Sequence, residues 1–266
     1  MLVKHTFKLP ARFAGSGSCT RMKILKSAGI IVIGNEILSG KTEDANARFL
    51  IGELRELGVA LRRIAVIPDV MDEIVEAVRE FSARYDYVFT SGGVGPTHDD
   101  LTIEGVARAF GSKVVRHPEL EGLLRTYYGE RLNERNLRMA DVPEGCHFVR
   151  ASEIQHWPVV AMRNVYILPG VPEIFRRKFS AIREQFRVEP FHLRVVYLNA
   201  DEGAVAAFLE QVQVEFPGVD IGSYPKLDPA GYRVKVTLES KRAGEVESAT
   251  SALLALLPGE YVVRTE

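Results

Sequence analysis

The stretch TSGGVGPTHDDLT, from Thr90 to Thr102, combines residue types that could bind phosphate and a metal ion. It follows the apolar run YDYVF, so we expect a loop at the carboxyl end of a buried strand. Glycines Gly92, Gly93 and Gly95 leave backbone N–H groups that could approach an anion and form a binding nest. The dipole of a helix beginning after this loop would also favour phosphate.

Two adjacent carboxylates, Asp99 and Asp100, stand in the same loop and would repel a phosphate group. A divalent cation reconciles the two features, because aspartate and phosphate oxygens can share its coordination sphere. The alternative is that these aspartates only cap the following helix. The residue types favour a site for phosphate or pyrophosphate together with a divalent metal.

Five further polar residues are candidates for this site, each with a structural alternative. Glu36 or His98 could orient a water molecule, but Glu36 could equally be a helix-terminal charge and His98 an inert loop residue. Thr97 and Thr102 could donate to phosphate oxygens, or could be a turn residue and a helix-start residue. Asn46 could contact a ligand or merely cap its own helix.

The segment IIVIGNEILSGKT resembles a P-loop, but its spacing is wrong. A P-loop has four residues between its first glycine and Gly-Lys-Thr, whereas five residues separate Gly34 from Gly40. The correctly spaced position is Asn35, which lacks the access of glycine to positive φ. The spacing disfavours a P-loop nucleotide triphosphatase.

Alternating strands and helices must position these residues. Such alternation predicts an α/β domain with a mostly parallel sheet covered on both faces, whose ligands bind beyond the carboxyl ends of the strands. The segment 143–157 has no clear pattern. The predicted strands are 28–34, 61–67, 86–91 and 164–170, and the predicted helices are 44–57, 70–84, 102–110 and 171–186.

After Pro190 the pattern becomes βαββαβ, the order of elements in a ferredoxin-like α+β sandwich. We therefore predict two folded parts, an α/β domain over 28–188 and a small tail domain over 189–266. Residues 1–27 are expected to be a disordered or mis-called extension, with Met22 as the real start. An organelle transit peptide is the alternative, because the chain has no acidic residue before Glu36.

The composition of the whole chain argues against several classes of protein. Of its 266 residues, 46% are apolar and 26% are charged, which is ordinary for a globular protein. The net charge of −1 offers no general attraction for nucleic acid or an anionic membrane. No apolar run is long enough to cross a membrane. Two isolated cysteines, Cys19 and Cys146, fit a reducing cytoplasm.

Four motifs in this sequence, in the expected order, resemble those of one family. TSGGVGPTHDDLT resembles the TGG-x-G-P-x-x-x-D-[LV]-T signature of the MoaB/Mog molybdopterin-binding superfamily. GPTHDDLT is most similar to the CinA amino-terminal domain and to the molybdopterin-binding-like domain of eukaryotic FAD synthase. The other matching motifs are GNEILSGKTEDANARFL, IPD at 67–69 and RNVYILPGVPE at 163–173. IGSY at 221–224 resembles the tail domain of CinA-like proteins.

The resemblance implies a three-layer α/β domain that binds the phosphate of a pterin or a dinucleotide. In Mog-type members, aspartates that align with Asp100 and Asp69 support adenylyl transfer with magnesium. CinA-like members are associated with metal-dependent hydrolysis of dinucleotide pyrophosphates such as ADP-ribose or FAD. Asn35 replaces the more usual aspartate of G-D-E, which removes one potential metal ligand.

From these likenesses we predict a hydrolase of dinucleotide pyrophosphates, with Asp100, Asp69 and Glu36 as catalytic residues. Asp100, with Asp99 or Asp69, would hold magnesium, manganese or cobalt, and K+ is a further candidate ion. The alternative is a non-catalytic module that binds molybdopterin or a nucleotide. We expect a homodimer or homotrimer that binds neither nucleic acid nor membrane. We expect neither deamidation nor FAD synthesis, since no matching catalytic domain is present.

Overall fold

The computed structural model describes residues 25–150, 157–227 and 231–266. Its larger sheet contains β1 (Ser27–Ile33), β2 (Ala60–Ile67), β3 (Tyr87–Ser91), β6 (His147–Val149), β7 (Val159–Met162) and β8 (Val165–Leu168). The strand order is β2-β1-β3-β8-β7-β6, in which the first four strands are parallel and the last two run antiparallel to their neighbours. A separate antiparallel pair is formed by β4 (Val114–Arg116) and β5 (Asp141–Pro143).

Helices cover both faces of this sheet, which confirms the predicted three-layer α/β class. One core, between the sheet and α2 and α7, contains Leu50, Phe89 and Phe179. The other core, beneath α3, α4 and α5, contains Ile31 and Phe81. The helices are α1 (Asn35–Leu38), α2 (Ala45–Glu56), α3 (Met71–Arg84), α4 (Thr102–Ala109), α5 (Pro118–Tyr128), α6 (Glu134–Leu137) and α7 (Pro172–Ile182).

The central strand β1 shows why its sequence is apolar throughout. Ile30 and Val32 point into the core that contains α2 and α7. Ile31 and Ile33 point into the opposite core. Successive side chains of a strand alternate between faces, so a strand buried on both faces needs an uninterrupted apolar run.

The tail domain has the predicted ferredoxin-like topology. Its strand order is β10-β11-β9-β12, and every neighbouring pair is antiparallel. Two helices pack on one face of this sheet around Val205, Leu238 and Leu253. The elements are β9 (His192–Leu198), α8 (Glu202–Glu215), β10 (Asp220–Pro225), β11 (Val234–Ser240), α9 (Ala243–Leu256) and β12 (Val262–Thr265).

Several bounds differ from the sequence-based expectation. β1 already begins at Ser27, and Lys26 forms an ion pair of 2.7 Å with Asp86, so the predicted extension to residue 27 is too long. The predicted helix over 171–186 ends at Ile182 and continues as a 3-10 turn over Arg183–Phe186. Residues 1–24, which contain most of that extension, and residues 151–156 lie outside the described part of the chain.

The two domains meet at the carboxyl end of α2. Arg55 forms an ion pair of 2.6 Å with Glu239 of the tail domain. The ammonium of Lys241 donates to the backbone carbonyls of Gly58 and Glu189, and it lies 3.6 Å from the centroid of the Phe191 ring.

Within the described residues, no helix has both the length and the hydropathy needed to cross a membrane.

Candidate functional site

The carboxyl ends of four neighbouring parallel strands, β2, β1, β3 and β8, meet at one edge of the larger sheet. The candidate residues lie directly after these ends. Asp69 follows β2, Glu36 follows β1, the glycine loop follows β3 and Gly170 follows β8. The fold therefore collects the sequence motifs at the edge where parallel α/β sheets bind their ligands.

The glycine loop begins with a close approach between backbones. Gly92 and Gly93 have φ angles of 102° and 64°, in the left-handed region that favours glycine. The N–H of Gly92 donates to the carbonyl of Leu168 over 3.2 Å. A Cβ atom at Gly92 would overlap with the carbonyl oxygen of Ile33. The N–H of Gly92 therefore belongs to the sheet and does not face an open anion nest.

Gly92→Ala should destabilise the protein by about 3 kcal/mol or more, because it adds steric overlap to an unfavourable φ. Gly52→Ala is the matched control, since Gly52 lies inside α2 with nothing within 4 Å of its added Cβ. That change should stabilise the helix by up to about 1 kcal/mol. Urea unfolding measures both free energies. A Gly92→Ala protein as stable as the parent would contradict the assigned backbone contact.

Thr102 fastens the glycine loop to α4. Its hydroxyl donates to the carbonyl of Gly92 over 2.8 Å, and its N–H donates to the carbonyl of Gly93 over 3.0 Å. The residue is fully buried. In this structure the Thr102 hydroxyl is committed to the loop backbone, so its observed role is structural.

The two aspartates share a single hydroxyl group. Asp100 Oδ2 accepts from the N–H of Thr97 over 2.7 Å and lies 2.5 Å from Thr97 Oγ1. Asp99 Oδ1 lies 2.5 Å from the same oxygen. One hydroxyl hydrogen can serve only one carboxylate at a time. The hydrogen bond from Thr97 lowers the pKa of Asp99, so this carboxylate is charged at neutral pH.

The capping alternatives for Asp99, Asp100 and Asn46 are wrong, whereas Glu36 does lie in the first turn of a helix, α1. The residue that caps α4 is Leu101, and no side chain accepts a hydrogen bond from the first turn of that helix. Asp44 caps α2, accepting from the N–H groups of Asn46 and Ala47 over 3.0 Å each. Asp99, Asp100 and Asn46 are therefore not explained by helix capping.

Asn46 instead joins three elements at the edge of the sheet. It is 4% exposed, and its Nδ2 donates to Ser91 Oγ over 2.9 Å and to the carbonyl of Gly170 over 2.7 Å. Its Oδ1 is buried without a hydrogen-bond partner among the described residues. A buried acceptor without a partner is uncommon in proteins. The Asn46 carbonyl is therefore an acceptor that a ligand or a bound water could use.

Asp69 and Glu36 form a separate group on the β1 and β2 side of the edge. Asp69 Oδ2 accepts from the backbone N–H of Asn35 over 2.8 Å. The exposed side chain of Glu36 folds back over Gly34. No hydrogen bond or ion pair among the described residues joins these two carboxylates to Asp99 or Asp100.

Gly95 and His98 complete the candidate loop. A Cβ atom at Gly95 would lie 2.7 Å from Asp100 Oδ2, so glycine leaves room for that carboxylate. His98 is 96% exposed, and its Nδ1 lies 3.9 Å from Asp99 Oδ1. Across the described residues, no group of three or more His, Cys, Asp or Glu side chains is arranged to hold a metal ion.

A cavity of about 1420 Å³ extends from Gly95 and Asp100 towards α5 and α7. Pro169 lines its wall, as do the aromatic residues Tyr127, Tyr128 and Trp157. Arg138, on this wall, donates to the carbonyl of Thr97 over 3.0 Å. Four of the cations that line the cavity have no ion pair with a carboxylate of the described chain, namely Lys113, Arg138, Arg177 and Lys178.

No pattern in the sequence indicates this cavity. Apart from Gly95, Asp100 and Pro169, its walls come largely from segments without recognisable motifs, and α5 was not predicted at all. Arg138 could not be found from its neighbours along the chain, because only the fold brings its guanidinium to the loop. Of the predicted glycines and aspartates, Gly95 and Asp100 thus lie at one end of a larger cationic and aromatic cavity.

Two family models match the chain, one for each domain. The model described as "Probable molybdopterin binding domain" matches residues 29–187. The model described as "FAD synthase, middle domain" matches residues 190–266. The matches therefore cover both the domain that carries the candidate site and the ferredoxin-like tail.

Individual proteins with similar sequences were found in animals and archaea. A Caenorhabditis elegans protein named "Probable FAD synthase" is 35% identical over 269 residues, which cover 91% of this chain and 52% of that protein. An Archaeoglobus fulgidus protein is 37% identical over 229 residues, covering 86% of this chain and 96% of that one. The chain thus spans about half the length of the nematode relative.

Among solved structures, CinA from Thermoplasma acidophilum, described as of unknown function, is 34% identical to this chain with a TM-score of 0.55. The match covers 61% of this chain and 100% of that one. Its extent corresponds in size to the larger domain.

Proposed function

We propose that this chain, a member of the MoaB/Mog molybdopterin-binding superfamily, hydrolyses the pyrophosphate bond of a dinucleotide such as FAD or ADP-ribose. Within that superfamily the chain belongs to the CinA-like branch. The observation that carries the proposal is the continuity of one cavity. It begins at the loop with Asp100 and continues past unpaired cations to aromatic side chains. The name of the nematode relative supports chemistry on FAD or a related nucleotide.

The cavity suits a ligand with a doubly anionic centre and a ring at its end. Small-molecule pockets commonly measure about 300–1,000 Å³, and this cavity of about 1420 Å³ exceeds that range. Arg138 and Lys113 could neutralise a pyrophosphate group, and exposed Tyr127 offers an aromatic surface for a ring. A dinucleotide presents both features in one molecule.

A divalent metal fits the donor set of the loop. Magnesium is usually held by one or two carboxylates, with substrate phosphate and water completing its sphere. Asp99 and Asp100 are two adjacent carboxylates of this kind, and Asp99 is charged at neutral pH. Such a metal supplies charge neutralisation and a more acidic water. In the proposed reaction Asp69 is an alternative metal ligand to Asp99, and Glu36 or His98 orients the attacking water.

Non-catalytic binding of molybdopterin or a nucleotide is the second candidate function. The observation that favours it is the cavity itself, whose cations and aromatic side chains can bind an anionic ring compound without a metal. A binding module needs no more than these groups. The two candidates therefore differ in whether the ligand is consumed.

The proposal is tested by incubating the purified chain with FAD, ADP-ribose or AMP in magnesium, manganese or cobalt. We expect the two dinucleotides to be cleaved and AMP to remain, because only a dinucleotide contains the anhydride bond. EDTA should stop cleavage while leaving part of the binding, since the cations of the cavity remain. Binding seen by calorimetry without turnover in any metal would support the binding module instead.

A further inference from the structure

Lys178 is a cavity-lining residue for which the proposed hydrolysis gives no role. It lies on α7, whose core-facing side carries Phe175, Phe179 and Ile182. Lys178 sits beside that apolar side, and its side chain lines the cavity that also contains Gly95. The residue therefore places an amine within an apolar and aromatic part of the cavity wall.

The amine of Lys178 is held by backbone carbonyls. Its Nζ donates to the carbonyl of Pro158 over 2.8 Å and lies 3.5 Å from the carbonyl of Trp157. It also lies 5.9 Å from the centroid of the Trp157 ring. An ammonium has three N–H groups, so two carbonyls leave one donor for a ligand. Burial, with a smaller effect from the charge of Arg177, lowers the pKa of Lys178 to about 7.

None of the described charged groups that line the cavity neutralises Lys178. Arg177 is its neighbour on α7, and Arg138 adds positive charge on another wall. The carboxylates of the cavity have other partners, since Asp141 pairs with Arg116 over 3.0 Å and Asp100 accepts from Thr97. Glu104, the remaining carboxylate of the wall, pairs with Arg108. Among the described residues the third N–H of this amine has no acceptor, and a bound ligand could supply one.

We propose that Lys178 determines specificity at this end of the cavity by donating a hydrogen bond to a carbonyl oxygen of a fused ring, as found in a flavin or a pterin. This rests on the proposed function, because the phosphate of the same ligand would lie near Gly95 and Asp100. A flavin ring offers two carbonyl oxygens on one edge. Adenine has no carbonyl oxygen: its exocyclic amino group is a donor, and its acceptors are ring nitrogens at other positions.

The direct test is calorimetric binding of FMN, neopterin monophosphate and AMP to the full chain in EDTA. Lys178→Met should weaken the binding of FMN about 10-fold, as expected for one hydrogen bond to a charged group. Its effect on AMP should be less than about 2-fold by the same arithmetic. Lys113→Met, which also removes a cavity-lining cation, should weaken the binding of FMN and of AMP equally. FMN and neopterin monophosphate are compared to show which carbonyl-bearing ring is preferred.

Proton uptake gives a readout that a purely structural lysine would not change. At pH 8 most Lys178 amines are neutral, because their pKa is about 7. A carbonyl acceptor raises that pKa, so FMN binding should take up protons. The binding heat should then differ between Tris and HEPES buffers for the parent, and much less for Lys178→Met. FMN affinity and proton uptake both unchanged in Lys178→Met would overturn the proposal.

The Lys178→Met protein should fold, since methionine replaces a buried amine with an apolar chain of similar length. The folded pKa of Lys178 is about 7, below the unfolded value of about 10.4. Between these values the unfolded chain binds more protons, so parental stability rises with pH. The Tm of Lys178→Met should therefore exceed that of the parent most at pH 7 or below, and the difference should shrink towards pH 10. Equal loss of FMN and AMP binding with a lowered Tm would show a structural role instead.

The binding test and the hydrolysis test can fail separately. If dinucleotides are not cleaved but Lys178→Met selectively weakens FMN, the proposed hydrolysis is wrong and the role of Lys178 stands. If cleavage occurs and Lys178→Met has the same ratio of kcat/KM for FAD and ADP-ribose as the parent, the specificity role is wrong and hydrolysis stands.

Discussion

Asp100→Asn should lower metal-dependent cleavage of FAD or ADP-ribose about 100-fold, the scale of losing one strong electrostatic interaction in a transition state. The change removes a charge that would hold the metal but keeps the size of the side chain. The remaining carbonyl oxygen can still accept from the N–H of Thr97, a bond of 2.7 Å in the parent. The Tm should therefore change little.

Asp220→Asn is the matched control for this substitution. Asp220 is an exposed carboxylate at the start of β10, in the tail domain. Its loss should leave kcat/KM unchanged, as judged by chromatographic assay of the monophosphates. Parental activity in the Asp100→Asn protein would exclude this carboxylate as a metal ligand. Loss of activity in both variants would point to a general effect of charge.

Asn46→Asp should lower the free energy of unfolding by about 3 kcal/mol or more, because it removes hydrogen bonds and buries a charge. The Asn46 amide donates to Ser91 Oγ and to the carbonyl of Gly170. A carboxylate cannot donate, and one of its oxygens would face the Gly170 carbonyl. The ends of β3 and β8 would then lose their link to α2.

The pH dependence identifies the cause of that loss. A buried carboxyl without a cation has a folded pKa above the unfolded value of about 3.9. The loss of unfolding free energy in Asn46→Asp, relative to the parent, should then be smallest at acidic pH and grow as pH rises through the folded pKa. Asn133→Asp is the control, because Asn133 is exposed and its side chain caps α6 as an acceptor. Equal urea midpoints for Asn46→Asp and the parent at pH 7 would contradict the buried link.

The sequence predicted those parts of the fold whose causes are local. β1 is apolar throughout because both of its faces are buried, and α2 begins where Asp44 can cap it. The short strands β4, β5 and β6 have three residues each and leave no periodic pattern. They exist because neighbouring segments pair with them, which a reading of single segments does not detect.

The candidate site was predicted in its motifs but not in its shape. The loop with Asp99 and Asp100 follows β3 as expected, yet Thr102 is buried and the N–H of Gly92 pairs with β8. Arg138 and Lys178 enter the cavity from segments far away in the sequence. Their side chains carry no motif, so only the tertiary fold reveals them.

Hydrolysis of the anhydride bond is tested most directly by incubating the chain with FAD and a divalent metal in water enriched in heavy oxygen. Mass spectrometry then follows AMP and FMN with and without EDTA. We predict both monophosphates, heavy oxygen in the phosphate of one of them, and no product in EDTA. Reversal of FAD synthesis would instead require added pyrophosphate and yield ATP. Intact FAD under every metal, or FMN and ATP formed only when pyrophosphate is added, would contradict the proposed hydrolysis.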